Sequence, residues 1–125
     1  MKLRELLSFI EAQALVVPDP VLLDRDIQFV SATDLMSDAL AMIVSPAGQT
    51  ILVTGLANGS SLRTAEMMDI QNVIYCRDKK LSVDNLELAH SMGINAFTSP
   101  LPMFDVVGIL YREGLKTATR QAYDS

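Results

Sequence analysis

The run ILVTGLANGSSLRTAEMMDIQNVIYC, residues 51–76, holds two apolar stretches separated by a Gly- and Ser-rich turn and a segment of helical spacing. Residues 51–54 read as a strand, since a short β-branched run bounded by glycine suits a buried strand. Residues 60–68 read as a helix and residues 72–76 as a second strand. Strand, helix, strand in that order predicts parallel strands joined by a right-handed crossover. The rhythm continues downstream. Residues 83–92 form a helix with Ser82 as its N-cap and Gly93 just past its end. Residues 94–98 follow as a strand, and residues 101–113 as a helix that stops at Gly114.

Upstream, Leu3, Leu6, Leu7 and Ile10 mark an amphipathic helix over residues 3–12, and a short strand over residues 14–17 ends at Pro18. Residues 27–31 alternate apolar and polar side chains, the pattern of a half-buried strand. Leu35, Met36, Ala39, Leu40 and Ile43 then make one helix face, with Thr33 or Asp34 as its cap. The expectation is a single small α/β domain over residues 1–115, a mostly parallel sheet flanked by helices. Residues 116–125 read as a polar tail, loose at its end.

Composition narrows the function classes. With 125 residues the chain is long enough to bury a core, and half of it is apolar, which argues against disorder. A net charge of −5 with no basic stripe argues against a nucleic-acid partner. Arg4, Glu5 and Glu11 interrupt any secretory apolar segment, and no run is long enough for a membrane. Cys76 stands alone, so neither an intrachain disulfide nor a cysteine metal set is available. These features point to a cytoplasmic protein without a cofactor.

Ligands on open parallel sheets bind beyond the carboxyl ends of the strands. Here those ends carry Thr54-Gly55, Cys76-Arg77-Asp78 and Thr98-Ser99. Gly55, Asn58, Gly59, Ser60, Ser61 and Arg63 supply a turn and a helix start, whose amides favour anions. A phosphate loop needs a lysine before the Ser or Thr, and a dinucleotide loop needs a third glycine; this corner has neither. Two readings stand side by side. In one, Ser60 or Ser61 caps the helix, the two glycines allow a tight turn, and Arg63 pairs with Glu66. In the other, Thr54, Gly55, Asn58, Gly59, Ser60, Ser61 and Arg63, with Arg77 and Thr98, hold a nucleotide or anion. His90 and Cys76 lack partners for nucleophilic chemistry. Asp34 and Asp38, four apart on one helix, are too few for a metal site. The methionines read mainly as core, with one helix surface left for self-association.

The chain from residue 14 to residue 114 resembles the DRTGG domain, a small α/β module. The resemblance rests on the order of LDRDIQFVSATDLMSDAL, ILVTGL, RTAEMMDI, NVIYCRDKK, LELAHSMGINAFTSP and FDVVGILYREGL. It implies a fold similar to the N-terminal domain of HPr kinase/phosphorylase and of certain Mur ligases. In the regulatory members of that family, the naming residues form a Gly-Asp-Arg corner and a Thr-Gly-Gly corner. Here the matching corners read Thr54-Gly55-Leu56 and Cys76-Arg77-Asp78, so no family residue is carried over. Such domains accompany CBS domains, pyrophosphatases and acetyl-transfer enzymes, and they mediate dimer contacts. Stand-alone versions occur in anaerobic bacteria and archaea, some beside genes for iron-only hydrogenases.

The resemblance therefore implies a non-enzymatic regulatory or assembly module, a homodimer that contacts a larger enzyme in anaerobic redox metabolism. The alternative is a small-ligand sensor at the corner over residues 54–63. Phosphotransfer, the activity implied by the serine-kinase label some relatives carry, lacks the lysine it needs.

Overall fold

Six strands assemble in the order β1-β5-β4-β3-β2-β6, described over residues 1–119 in a computed structural model. The chain runs α1 (Leu3–Phe9), β1 (Gln13–Val16), β2 (Phe29–Ala32), α2 (Met36–Met42) and β3 (Thr50–Thr54). It continues through α3 (Gly59–Met67), β4 (Asn72–Tyr75), α4 (Val83–Met92), β5 (Asn95–Thr98), α5 (Met103–Arg112) and β6 (Lys116–Thr117). Four neighbouring pairs are parallel; the strand–helix rhythm predicts this for β3, β4 and β5 but not for the β2–β6 pair, and β1 joins β5 antiparallel at one edge.

From β2 to β5 the strands step across the sheet in one direction, and α2, α3 and α4 pack side by side on one face. Leu52, Leu62, Ala65, Val73, Tyr75 and Ala89 form the core there. On the other face α1 and α5 bury Leu3, Leu6, Ile10, Val106 and Leu110 against Ile51, Val53, Ile74 and Phe97. Each such Leu or Ile taken from water contributes about 1.5–3 kcal/mol. The central strands β3, β4 and β5 are buried along their whole length, which explains the unbroken apolar runs Ile51-Leu52-Val53 and Val73-Ile74-Tyr75.

Several expectations are corrected in detail. The first helix ends at Phe9 rather than residue 12, because the chain turns through a left-handed Glu11 (φ 56°) into β1. Neither Thr33 nor Asp34 caps α2, which starts at Met36 after Leu35. Thr33 Oγ1 instead accepts from the Leu35 amide at 3.0 Å, a local turn, and Asp34 turns toward β3. Asp34 thus lies outside α2, and the expected Asp34–Asp38 helix pair does not form. Ser82 does cap α4, and Gly93 does take the left-handed conformation after it (φ 71°).

The tail also begins differently. Lys116 and Thr117 pair with Phe29 and Val30 as an edge strand, and Ala118 is fully buried. α5 makes this possible by returning across the face opposite α3 and α4, which brings the chain back beside β2. The expectation of a loose end falls on residues 120–125, outside the described residues.

Candidate functional site

At the carboxyl ends of the central strands, Thr54, Tyr75 and Thr98 stand level in adjacent strands by register, all buried. Strand alternation puts the three side chains on the α3/α4 face. Register thus sets Thr54 and Thr98 two strands apart at the same level. What each hydroxyl does there is decided by its neighbours.

Thr54 Oγ1 donates to Asp34 Oδ1 at 3.0 Å and accepts from the Leu56 amide at 3.1 Å. The Gly55 amide donates to the same carboxylate oxygen at 2.7 Å. Gly55 has no positive φ, and a Cβ there would lie 3.4 Å from the Asp34 carboxylate, an ordinary contact, so neither conformation nor space demands glycine. A charged acceptor for two donors makes this the strongest polar contact of the corner.

Asn58, rather than Ser60 or Ser61, caps α3: its side chain accepts from the Ser61 amide at 3.2 Å. Ser61 is fully buried, its hydroxyl donating to the Asn58 carbonyl at 2.9 Å. A carbonyl only accepts, so the single Ser61 proton is committed and Tyr75 donates to Ser61 Oγ across 2.8 Å. Burial pushes the Tyr75 phenol up to about 12, with the Ser61 hydrogen bond acting in the opposite sense.

Ser60 and Arg63 remain exposed on the first turns of α3. Arg63 does not pair with Glu66 among the ion pairs of the described residues. Its guanidinium folds back over Gly59, where a Cβ would stand only 3.1 Å from Nη1 and 3.4 Å from Asn85 Oδ1 of α4. Gly59 has no positive φ, and a Cβ there would press on the far end of the exposed arginine, a flexible side chain that can give way.

The chain leaves β4 toward α4 on one face and β5 toward α5 on the other. Such a divergence opens the crevice in which open α/β sheets usually take a ligand. Here two backbone hydrogen bonds lace it: Arg77 N–H to Leu101 O at 2.9 Å, and Asp78 N–H to Ser99 O at 2.8 Å. Arg77 and Asp78 reach them through consecutive left-handed conformations (φ 59° and 57°), which are unfavourable for residues with a Cβ. Sequence reasoning had no signal for this, because neither position is glycine. Beside the laced crevice, Thr98 Oγ1 is the one buried side-chain polar atom without a partner among the described residues.

Cys76 is buried next in the chain, its thiol pushed up to about 11 by burial first and by the nearby Asp34 charge second. His90 is exposed near the far end of α4. Among the described residues no three His, Cys, Asp or Glu side chains converge on a metal position. No helix there is long and apolar enough to cross a membrane.

Two features lie away from the rim. Asn95 bonds Asn72 Oδ1 at 3.1 Å and both backbone groups of Asp19, tying the opposite ends of β4 and β5 to the loop after β1. A cleft of about 430 Å³ opens beside β2 between α2 and α5, lined by Ser31, Thr33, Asp38, Met42, Leu110 and Thr117 among others. None of the residues expected at the rim lines it.

No family model and no curated protein matches the chain. Among solved structures it is similar to the CBS and DRTGG domains of the regulatory region of Clostridium perfringens pyrophosphatase, complexed with its activator diadenosine tetraphosphate. The TM-score is 0.68 at 16% identity, over 97% of this chain and 51% of that one. The likeness shows a DRTGG-like α/β fold, and the chain spans about half the length of that structure.

Proposed function

We propose that this chain is a non-enzymatic regulatory module that self-associates and acts on a larger enzyme. The observation that carries the reading is the laced crevice, where the sheet would otherwise open a ligand or catalytic cleft. The hydroxyls of Thr54, Ser61 and Tyr75 are likewise turned inward to hold strands and α3 together. In the similar solved structure, the fold belongs to the regulatory region of an enzyme, which supports the same assignment. The test is to identify an enzyme that co-purifies with the chain, add the purified chain to it and measure that enzyme's rate. A saturable change in kcat or KM is expected; an unchanged rate at excess chain overturns the reading.

A second reading has its own support: a sensor for a nucleotide or anion on the outer lip over residues 54–63. There the start of α3 carries Arg63 over Gly59, close to Asn85 at the start of α4, and Arg77 follows the end of β4. The activator in the similar structure is itself a polyphosphate. Binding to the folded state raises the melting temperature by mass action. A panel of nucleotides and simple anions should therefore shift it, and Arg63→Ala should abolish the shift. A shift that survives Arg63→Ala excludes this lip.

A further inference from the structure

The outward face of α5 combines features that packing within the chain leaves unexplained. Phe104 and Tyr111 are 83% and 80% exposed, the most exposed aromatic side chains among the described residues. Gly108 lies between them, also exposed, and a Cβ there would meet nothing within 4 Å. Its φ is not positive. A glycine in a helix interior is destabilising relative to alanine, and here neither backbone conformation nor a neighbour in the same chain requires it.

Helical geometry orders this face. At about 100° per residue, Phe104 and Tyr111 fall roughly 40–60° to one side of Gly108, while Asp105 and Arg112 fall roughly 40–60° to the other. Buried Val106 and Leu110 point the opposite way, into the core. The acid and one aromatic precede Gly108, and the base and the other aromatic follow it at matching distances.

We propose that α5 packs against α5 of a second copy, antiparallel, about a two-fold axis that runs between the two helices, perpendicular to both, level with Gly108. That axis preserves the side of the helix and reverses its direction. Phe104 then meets Tyr111 of the second copy, and Asp105 meets Arg112 of the second copy, each twice. A two-fold parallel to the helices would set each carboxylate against an aromatic ring instead. Glycine at the centre lets the backbones approach closely. The exposed Arg112–Glu113 pair at 3.5 Å, between chain neighbours, is too weak to hold Arg112 from a better partner. α2 and its N-cap also expose Leu35, Leu40 and Met42, but Asp38 is the one charged residue of α2, so it has no such matched set.

This inference rests on the proposed self-association and adds its surface. A single helix pair is a small interface, so a weak dimer is expected, at about ten to a hundred micromolar. Sedimentation equilibrium on the full chain should show it. Gly108→Leu should give a monomer that is no less heat-stable, since the site is open and leucine favours the helix. Asp105→Arg should weaken the dimer at least about tenfold, and Asp105→Arg with Arg112→Asp should restore most of the affinity. A dimer indifferent to Gly108→Leu and Asp105→Arg overturns this surface and leaves self-association standing. Loss in Asp105→Arg without recovery in the double variant overturns the antiparallel pairing. A monomeric wild type overturns both proposals.

Discussion

Asp34 does more for the candidate site than any residue of the corner itself, because one carboxylate oxygen satisfies both the buried Thr54 hydroxyl and the Gly55 amide. Removing it leaves two donors without their acceptor, one of them on a fully buried residue. Asp34→Ala should lower unfolding stability by about 1.5–3 kcal/mol, the range for hydrogen bonds to a charged group. Asp34→Asn keeps a carbonyl acceptor and should cost about half as much, both read by urea unfolding. The same carboxylate also acts on Cys76, whose thiol is raised first by burial and second by that charge. Asp34→Asn should therefore lower the thiol pKa from about 11 while burial keeps it above 9, followed by thiolate ultraviolet absorbance. The sign for stability is set by raised folded-state values. The unfolded thiol and phenol ionise near 9.0 and 10.0, while Cys76 and Tyr75 hold their protons to about 11 and 12. Their contribution is complete below pH 9 and is lost as pH rises through 9 to 12.

The loop from β4 to α4 shows how an element boundary can be set against local preference. Arg77 and Asp78 adopt left-handed conformations costing on the order of 1–2 kcal/mol each, which suits glycine better. The two hydrogen bonds to Leu101 and Ser99 return on the order of 1 kcal/mol each, so the loop stays near balance. Arg77→Gly keeps the backbone bonds and relieves the strain, at the cost of a freer unfolded chain. The expected result is a gain of about 0.5–1 kcal/mol in urea unfolding, with the fold unchanged by circular dichroism. A loss of stability would mean that the Arg77 side chain holds the loop, rather than its backbone. By contrast, Ser82 and Gly93 bound α4 as local propensity dictates, and both are legible in the sequence. Asn58 was not, because Ser60 and Ser61 stand beside it with equal capping ability. What decides is that Ser61 faces the sheet, where Tyr75 claims its hydroxyl.

Across the molecule, the legible part is what period and turn chemistry control: the parallel strands β3 to β5, their helices, and the buried runs Ile51-Leu52-Val53 and Val73-Ile74-Tyr75. The levelling of Thr54, Tyr75 and Thr98 follows from register, which no single segment encodes. The same holds for the partners that Asp34 finds and for the crevice closed by Arg77 and Asp78. The clearest case is the end of the chain. Lys116 and Thr117 read as polar tail because a two-residue strand has no period to detect, and only the return of α5 across the sheet gives them β2 to pair with. That pairing makes a sharp prediction at Ala118, which is fully buried and whose backbone binds Val30, Val44 and Ser45. A carboxylate there would be desolvated without a partner, so Ala118→Asp should cost about 3 kcal/mol or more. For a domain of this size that lowers the melting temperature by roughly 10 °C or more, at about 4 °C per kcal/mol. Thr117→Asp, one residue earlier and exposed, should stay within about 0.5 kcal/mol of wild type. If both substitutions are equally mild in thermal unfolding, residues 116–119 are a tail after all; a loss confined to Ala118→Asp makes the edge strand part of the cooperative fold.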